Sequence, residues 1–317
     1  MRKKYSKKSK IMPKKSRLLY VAFLVILSVL AIFISTFKNS FTLRTQASQT
    51  SRLYGGQDAS IDDWPNVVLL FNYHEATKFN KKLPSAKSMY DAKLINSSRL
   101  CTGSLIDKNW VLTAAHCVKN ANDPNIAIAT GFDDFGNQKV NFNEGRYIFK
   151  PSAKDIFIHK DYKVVPQKDG KIMAFADLAL IRVNYLYNFD LKPMPVAKRL
   201  NYSSKAYVIG WGFSHNDANG NPQMSDKLQQ LELRLTKKGF QYYLTDAIYN
   251  TQFNDKVLTD YLNSGQLIAA GDSGAPLMVF DAKSKTYYQL GVNTSGLAIT
   301  DLTKYIGWIE DTTGLDF

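Results

Sequence analysis

Apolar and polar positions divide the chain into zones of different texture. Leu18 to Phe37 is an unbroken apolar run in which only Ser28, Ser35 and Thr36 are clearly polar. At a rise of ~1.5 Å per residue, a helix of that length matches a hydrocarbon core of ~30 Å, so the pattern predicts a transmembrane helix over 18–37. Lys38 to Arg52 is polar, rich in Ser, Thr and Gln, and without periodicity, which predicts an exposed linker or propeptide stalk. From Leu53 onward the pattern changes to short apolar runs bounded by turn formers. Trp64–Phe71, Leu178–Val183 and Leu277–Phe280 each predict a strand, and Leu228–Leu235 predicts another through its alternating apolar residues. Residues 74–99 interrupt this series as a long polar stretch, expected to be a surface insertion. His74 and His215 fall in polar segments expected to be loops. Lys304–Glu310 is amphipathic. No internal repeat of solenoid period is present.

Charge sharpens the division. The 317 residues carry a formal net charge of +14, but residues 1–17 hold nine Lys or Arg and no acid. From Leu53 to the end, 29 basic residues face 27 acidic ones. The basic excess therefore belongs to the N-terminal arm, and no nucleic-acid-binding surface is expected. A Lys/Arg cluster before an apolar span places the N-terminus in the cytoplasm and everything after Phe37 outside. The alternative is a secretory signal peptide, for which Thr45-Gln46-Ala47 is a passable cleavage site. The run is longer than the ~7–15 residues of a signal core, which favours the anchor.

Candidate chemistry begins at Gly271-Asp272-Ser273-Gly274-Ala275-Pro276. A hydroxyl between glycines on a tight turn exposes its oxygen and leaves backbone N–H groups free for a substrate oxygen. Taken alone, the stretch is equally a polar turn before a strand. Upstream lie Cys101-Thr102-Gly103-Ser104 and Thr113-Ala114-Ala115-His116-Cys117, and between them and the turn lies Ala176-Asp177-Leu178-Ala179-Leu180. His116, Asp177 and Ser273 thus follow one another in that order. At these residues, and from about Leu53 to the C-terminus, the sequence resembles the chymotrypsin/trypsin family of serine proteases, which uses this order.

The resemblance implies an all-β fold, two antiparallel Greek-key β-barrels with a C-terminal helix and a cleft between them. His116 and Asp177 would come from the first barrel and Ser273 from the second. It implies Ser273 as nucleophile, His116 as general base and Asp177 as its orienter, with the backbone N–H groups of Gly271 and Ser273 as oxyanion hole. Leu267, Thr294, Ser295 and Gly296 would line the specificity pocket. Since no carboxylate stands at Leu267 or beside it, cleavage after apolar or small residues is expected, not after Lys or Arg. His159 matches a structural strand-end position, and Val208–Gly212 a strand whose glycines allow close packing around Trp211. Arg52 and Leu53 resemble an activation site, after which a freed α-amino group would pair with Asp272 and an activating protease would be a partner. The only two cysteines, Cys101 and Cys117, would form the family's bond beside the histidine, and no Cys or His pair follows at zinc spacing. No metal or organic cofactor is required, and the substrate would be a protein or peptide. The domain plan is a basic arm over 1–17, an anchor or signal over 18–37, a linker over 38–52 and a protease domain over 53–317. Two other function classes fit the same residues, a catalytically silent binding protein of this fold and an esterase using the same triad.

Overall fold

The computed structural model describes residues 56–77, 92–119, 125–136, 147–166, 172–183, 192–199, 205–216, 222–235, 237–238, 241–242, 256–257, 259–260, 271–295 and 298–317. The expected arm, anchor and linker, and with them Leu18–Phe37, Arg52 and Leu53, lie outside the described residues. No helix among the described residues is long and apolar enough to cross a membrane.

Strands dominate. In chain order they are β1 (Gln57–Asp58), β2 (Val67–Asn72), β3 (Arg99–Asp107), β4 (Trp110–Thr113), β5 (Ile126–Thr130), β6 (Tyr147–Phe149) and β7 (Ile156–Ile158). There follow β8 (Lys163–Pro166), β9 (Ile172–Phe175), β10 (Ala179–Arg182), β11 (Lys205–Gly210), β12 (Phe213–Asn216), β13 (Pro222–Met224) and β14 (Gln229–Leu235). The remainder are β15 (Lys237–Lys238), β16 (Gln241–Tyr242), β17 (Lys256–Val257), β18 (Thr259–Asp260), β19 (Pro276–Asp281), β20 (Thr286–Ser295) and β21 (Ala298–Asp301).

Among the described residues, a seven-stranded sheet runs β6-β5-β2-β3-β4-β10-β7, and an eight-stranded one runs β1-β14-β11-β19-β20-β21-β17 with β18 on β14. Both are antiparallel throughout. The first is built wholly from the N-terminal half of the folded region. The second comes from the C-terminal half, apart from β1.

The runs Val67–Phe71 and Leu178–Ile181 lack alternation because both faces are covered. On β2, Val68 and Leu70 pack with Leu105, Val111, Ile128 and Ile181 inside the first sheet. Val67, Leu69 and Phe71 face the other way and join Ile209, Trp211 and Met278 of the second. On β10, Ala179 and Ile181 face the first cluster, while Leu180 and the preceding Leu178 meet Val292, Leu302 and Ile309. At ~25 cal/mol per Å² of apolar surface removed from water, such two-sided burial is the main stabilising term.

The structure corrects several expectations. Residues 74–99 are not all surface insertion. Tyr73–Thr77 forms a short helix α1, in which the Asn72 side chain accepts from Glu75 N at 3.0 Å. Ala92–Ser97 forms α2, which drives Ile95 into the core at 0% exposure. His74 thus lies on α1 and His215 on β12, which pairs with β13. Trp64–Asn66 is a turn before β2. Near the C-terminus Asp301 caps a 3₁₀ turn by accepting from Thr303 N at 3.0 Å, and helix α3 occupies Ile306–Thr313. It ends at Gly314, whose φ of 73° is the left-handed cap that glycine supplies without strain.

His159, just after β7, locks this terminal segment. Its ring lies edge-on to Tyr305 and Trp308, with centroids 5.1 and 4.9 Å away. Its Nδ1 accepts from Asp161 N at 3.2 Å, which requires an unprotonated nitrogen. Burial holds its pKa below the ordinary histidine value of 6.5. The unfolded chain therefore binds the proton more readily. The stability that neutral His159 provides is complete above pH ~6.5 and falls as pH drops from there toward the folded value. Thermal melts at pH 7 and pH 5 are expected to show a smaller loss in His159→Phe than in the parent. An equal loss in both would mean that this residue carries none of the acid sensitivity.

Candidate active site

Two buried carboxylates and one glycine-rich turn organise the site. Asp177 sits two residues before β10 with 0% exposure. The chain turns sharply into it, with Ala176 at φ 45° and Leu178 N donating to Ala176 O at 2.8 Å. Positive φ is uncommon for a residue with a Cβ and is held only where the surroundings dictate it. The turn aims the Asp177 carboxylate at the 3₁₀ segment Ala115–Cys117. Asp177 Oδ1 accepts from His116 N at 2.8 Å, and Oδ2 lies 2.7 Å from His116 Nδ1. A carboxylate at Nδ1 selects the tautomer with the proton there, leaving the Nε2 lone pair for another proton. The His116 side chain is 29% exposed while Asp177 is closed off, so one end of the pair is dry and the other open. Burial and the nearby Asp177 charge push the Tyr162 phenol up.

Cys101 of β3 and Cys117 are joined by a disulfide, S–S 2.00 Å. It fastens the His116 segment to the first sheet. Closing a loop of this length contributes about 3 kcal/mol in the chain-entropy model. Cys101, His116 and Cys117 cluster tightly enough to suggest a metal site. Their sulfurs are bonded to each other and offer no thiolate.

The turn bearing Ser273 is held from both sheets. Gly271 and Gly274 have φ of 94° and 81°, in the region that glycine enters freely. Thr102 N of β3 donates to Ser273 O at 2.8 Å, and Thr102 Oγ1 donates to Gly271 O at 3.2 Å. Thr113 Oγ1 in turn donates to Thr102 O at 2.8 Å. From β20, Asn293 Nδ2 donates to Asp272 O at 2.9 Å, Asn293 O accepts from Gly274 N at 2.7 Å, and Asn293 N donates to Ala275 O at 2.9 Å. These bonds leave the turn no freedom to slide between the sheets. Among the described residues no hydrogen bond joins Ser273 Oγ to His116.

Asp272 is the second buried carboxylate, at 0% exposure. Its Oδ1 accepts from Gly212 N at 2.8 Å. The glycines at 210 and 212 were expected to make room for Trp211. They make room for Asp272 instead, because a Cβ at either position would collide with its carboxylate.

Of the other expected residues, Thr294 is buried on β20 and Ser295 is that strand's last residue. Leu267 and Gly296, like Arg52 and Leu53, lie outside the described residues. Sequence reasoning assigned nothing to Thr102, Asn293 or Arg99. Thr102 and Asn293 sit inside motifs that were read for their neighbours. Arg99 had no local signal, since its partners are more than a hundred positions away.

The trypsin family model matches residues 80–313. Ovochymase of Halocynthia roretzi is 28% identical over 232 residues, which are 68% of this chain and 13% of that protein. The chain thus spans about an eighth of the length of that curated relative. The chain belongs to the trypsin family of serine proteases.

The Asp272 pocket generates a prediction. Gly212→Ala must displace the carboxylate or bend β11's exit, an overpacking cost of about 1–3 kcal/mol. In a domain of this size Tm falls by about 2–4 °C for each kcal/mol lost. An unchanged melting temperature would show that the Asp272 carboxylate does not fill the space beside Gly212.

Proposed function

We propose that the chain is a serine endopeptidase of the double-barrel type, residues 53–317 forming the protease domain and each large sheet one barrel. The observation that carries the reading is the 2.7 Å contact between His116 Nδ1 and the fully buried Asp177 carboxylate. An imidazole oriented in this way by a dry anion is the base that a weak hydroxyl nucleophile requires.

In this mechanism Ser273 Oγ attacks the peptide carbonyl carbon while its proton passes to His116 Nε2. Asp177 keeps the imidazole in register and stabilises the imidazolium. Negative charge on the former carbonyl oxygen is received by the N–H groups of Gly271 and Ser273, one such donor being worth about 10²–10³ in turnover. His116 then protonates the leaving amine, the acyl-enzyme forms, and water enters by the same route in reverse. The substrate is a protein or peptide. With Leu267 at the pocket base and no acid beside it, the residue before the scissile bond is apolar or small. A buried, unpaired Lys or Arg would cost several kcal/mol.

The N-terminal region is proposed to hold a cytoplasmic basic arm, a membrane anchor over 18–37 and a stalk, with the protease outside. Release after Arg52 by another protease would activate it. A signal peptide cleaved near Ala47 is the alternative.

A fluorophosphonate is expected to label the parent protein but not Ser273→Ala, and Ser273→Ala is expected to lower peptide hydrolysis by about 10⁴-fold or more. Profiling on a peptide library should show apolar or small residues before the cut. Labelling without peptide cleavage would indicate an esterase, absent labelling a binding protein, and dominant cleavage after Arg or Lys would refute the pocket assignment.

Membranes washed with alkaline carbonate should retain the full-length chain, and the active soluble form should begin at Leu53. A soluble form beginning at Ser48 would establish signal cleavage in place of an anchor.

A further inference from the structure

Arg99 opens β3 and projects into the second half of the molecule. Its Nε donates to Asn96 O at 2.9 Å, and its Nη1 donates to Trp211 O at 3.1 Å and to Ser225 O. The Trp211 carbonyl and the Gly212 N–H belong to one peptide unit. That N–H is the donor to Asp272 Oδ1 at 2.8 Å. A cation and an anion thus sit at opposite ends of a single peptide dipole, the carbonyl toward the cation and the N–H toward the anion. This is the orientation in which each charge strengthens the hydrogen bond of the other.

The same peptide is packed against the turn it serves. A Cβ added at Gly271 would lie 3.0 Å from Gly212 Cα, so Gly271 and Gly212 are in backbone contact. Burial draws the Arg99 guanidinium down to about 10, with Asp226 and Asp272 opposing the shift. It therefore remains a cation at neutral pH. The second acid, Asp226, is exposed and accepts a bond from Asn96 Nδ2.

We propose that Arg99 is a positioning residue for the turn bearing Ser273. Its cation, acting through the Trp211–Gly212 peptide, holds Asp272 as a carboxylate and so fixes the backbone donors of Gly271 and Ser273. This counter-charge belongs to the folded chain itself and acts beside any α-amino group freed after Arg52. Its kinetic consequence rests on the serine endopeptidase reading. Its structural consequence does not.

The test uses the full-length chain, cut after Arg52 where kcat is read, with Arg99→Met, Arg99→Lys and Asp226→Asn. In Arg99→Met, kcat is expected to fall about 10- to 100-fold with KM within about threefold, a smaller loss than removal of an oxyanion donor brings. Arg99→Lys keeps the charge but not the forked donors and should recover part of kcat. Asp226→Asn should change kcat by less than about threefold, as expected for an exposed charge. In parallel, hydrogen exchange at the Gly271–Gly274 amides should quicken at least about tenfold in Arg99→Met, with sheet-core amides unchanged. Should Arg99→Met not fold, Arg99→Lys is read by the same two measurements.

Unchanged kcat in a folded Arg99→Met chain overturns the proposal. So does a loss that Arg99→Lys does not relieve, or exchange that quickens evenly across the sheets. If the parent chain neither hydrolyses peptides nor takes up a fluorophosphonate, the endopeptidase reading fails alone, and the exchange result decides the role of Arg99.

Discussion

Two carboxylates without solvent contact, Asp177 and Asp272, fix the backbone around the candidate site, one in each half of the fold. An anion removed from water must be given hydrogen bonds by the chain around it, or it will not stay ionised. Asp177 receives them from the backbone and the ring of His116. Asp272 receives one from Gly212 N. Each requirement ties a residue distant in sequence to a fixed place, so solvation of the two acids and placement of the candidate reacting groups are one problem.

The solution uses backbone more than side chains. The turn from Gly271 to Ala275 is suspended between Thr102 of the first sheet and Asn293 of the second. Backbone bonds at this density hold a geometry more tightly than long side chains do, because few rotatable bonds intervene. Glycines occur where a Cβ would block the approach: at 212 against the Asp272 carboxylate, and at 274 against Thr102 and Thr113. On the His116 side the disulfide serves the same end, attaching the short helical segment to β3 at Cys101, the residue before Thr102.

Arg99 extends this logic to charge. A guanidinium half-buried among carbonyl oxygens would be costly if it only filled space. Its position across one peptide from Asp272 links the start of β3 to the turn on the far sheet. The cation thus lies beside the large cluster that Trp211 shares with Trp64, Phe71 and Ile209.

The sequence by itself determined the elements and the candidates. Apolar runs such as Val67–Phe71 and Leu178–Val183 are strands because β-branched and aliphatic residues pack well on a pleated surface. Their lack of alternation reports burial on both faces. His116, Asp177 and Ser273 were legible because each sits in a short string whose residue types suit one task. Tertiary structure alone decided the contacts between strings: which acid lies at 2.7 Å from which ring nitrogen, which glycine admits Asp272, and that the polar stretch 74–99 ends in a core helix and in Arg99. The reason is physical. Propensity and pattern act over a few neighbouring residues, whereas solvation of a buried charge is met by whichever groups the completed packing brings near. For Arg99 and Trp211 those groups are 112 residues apart.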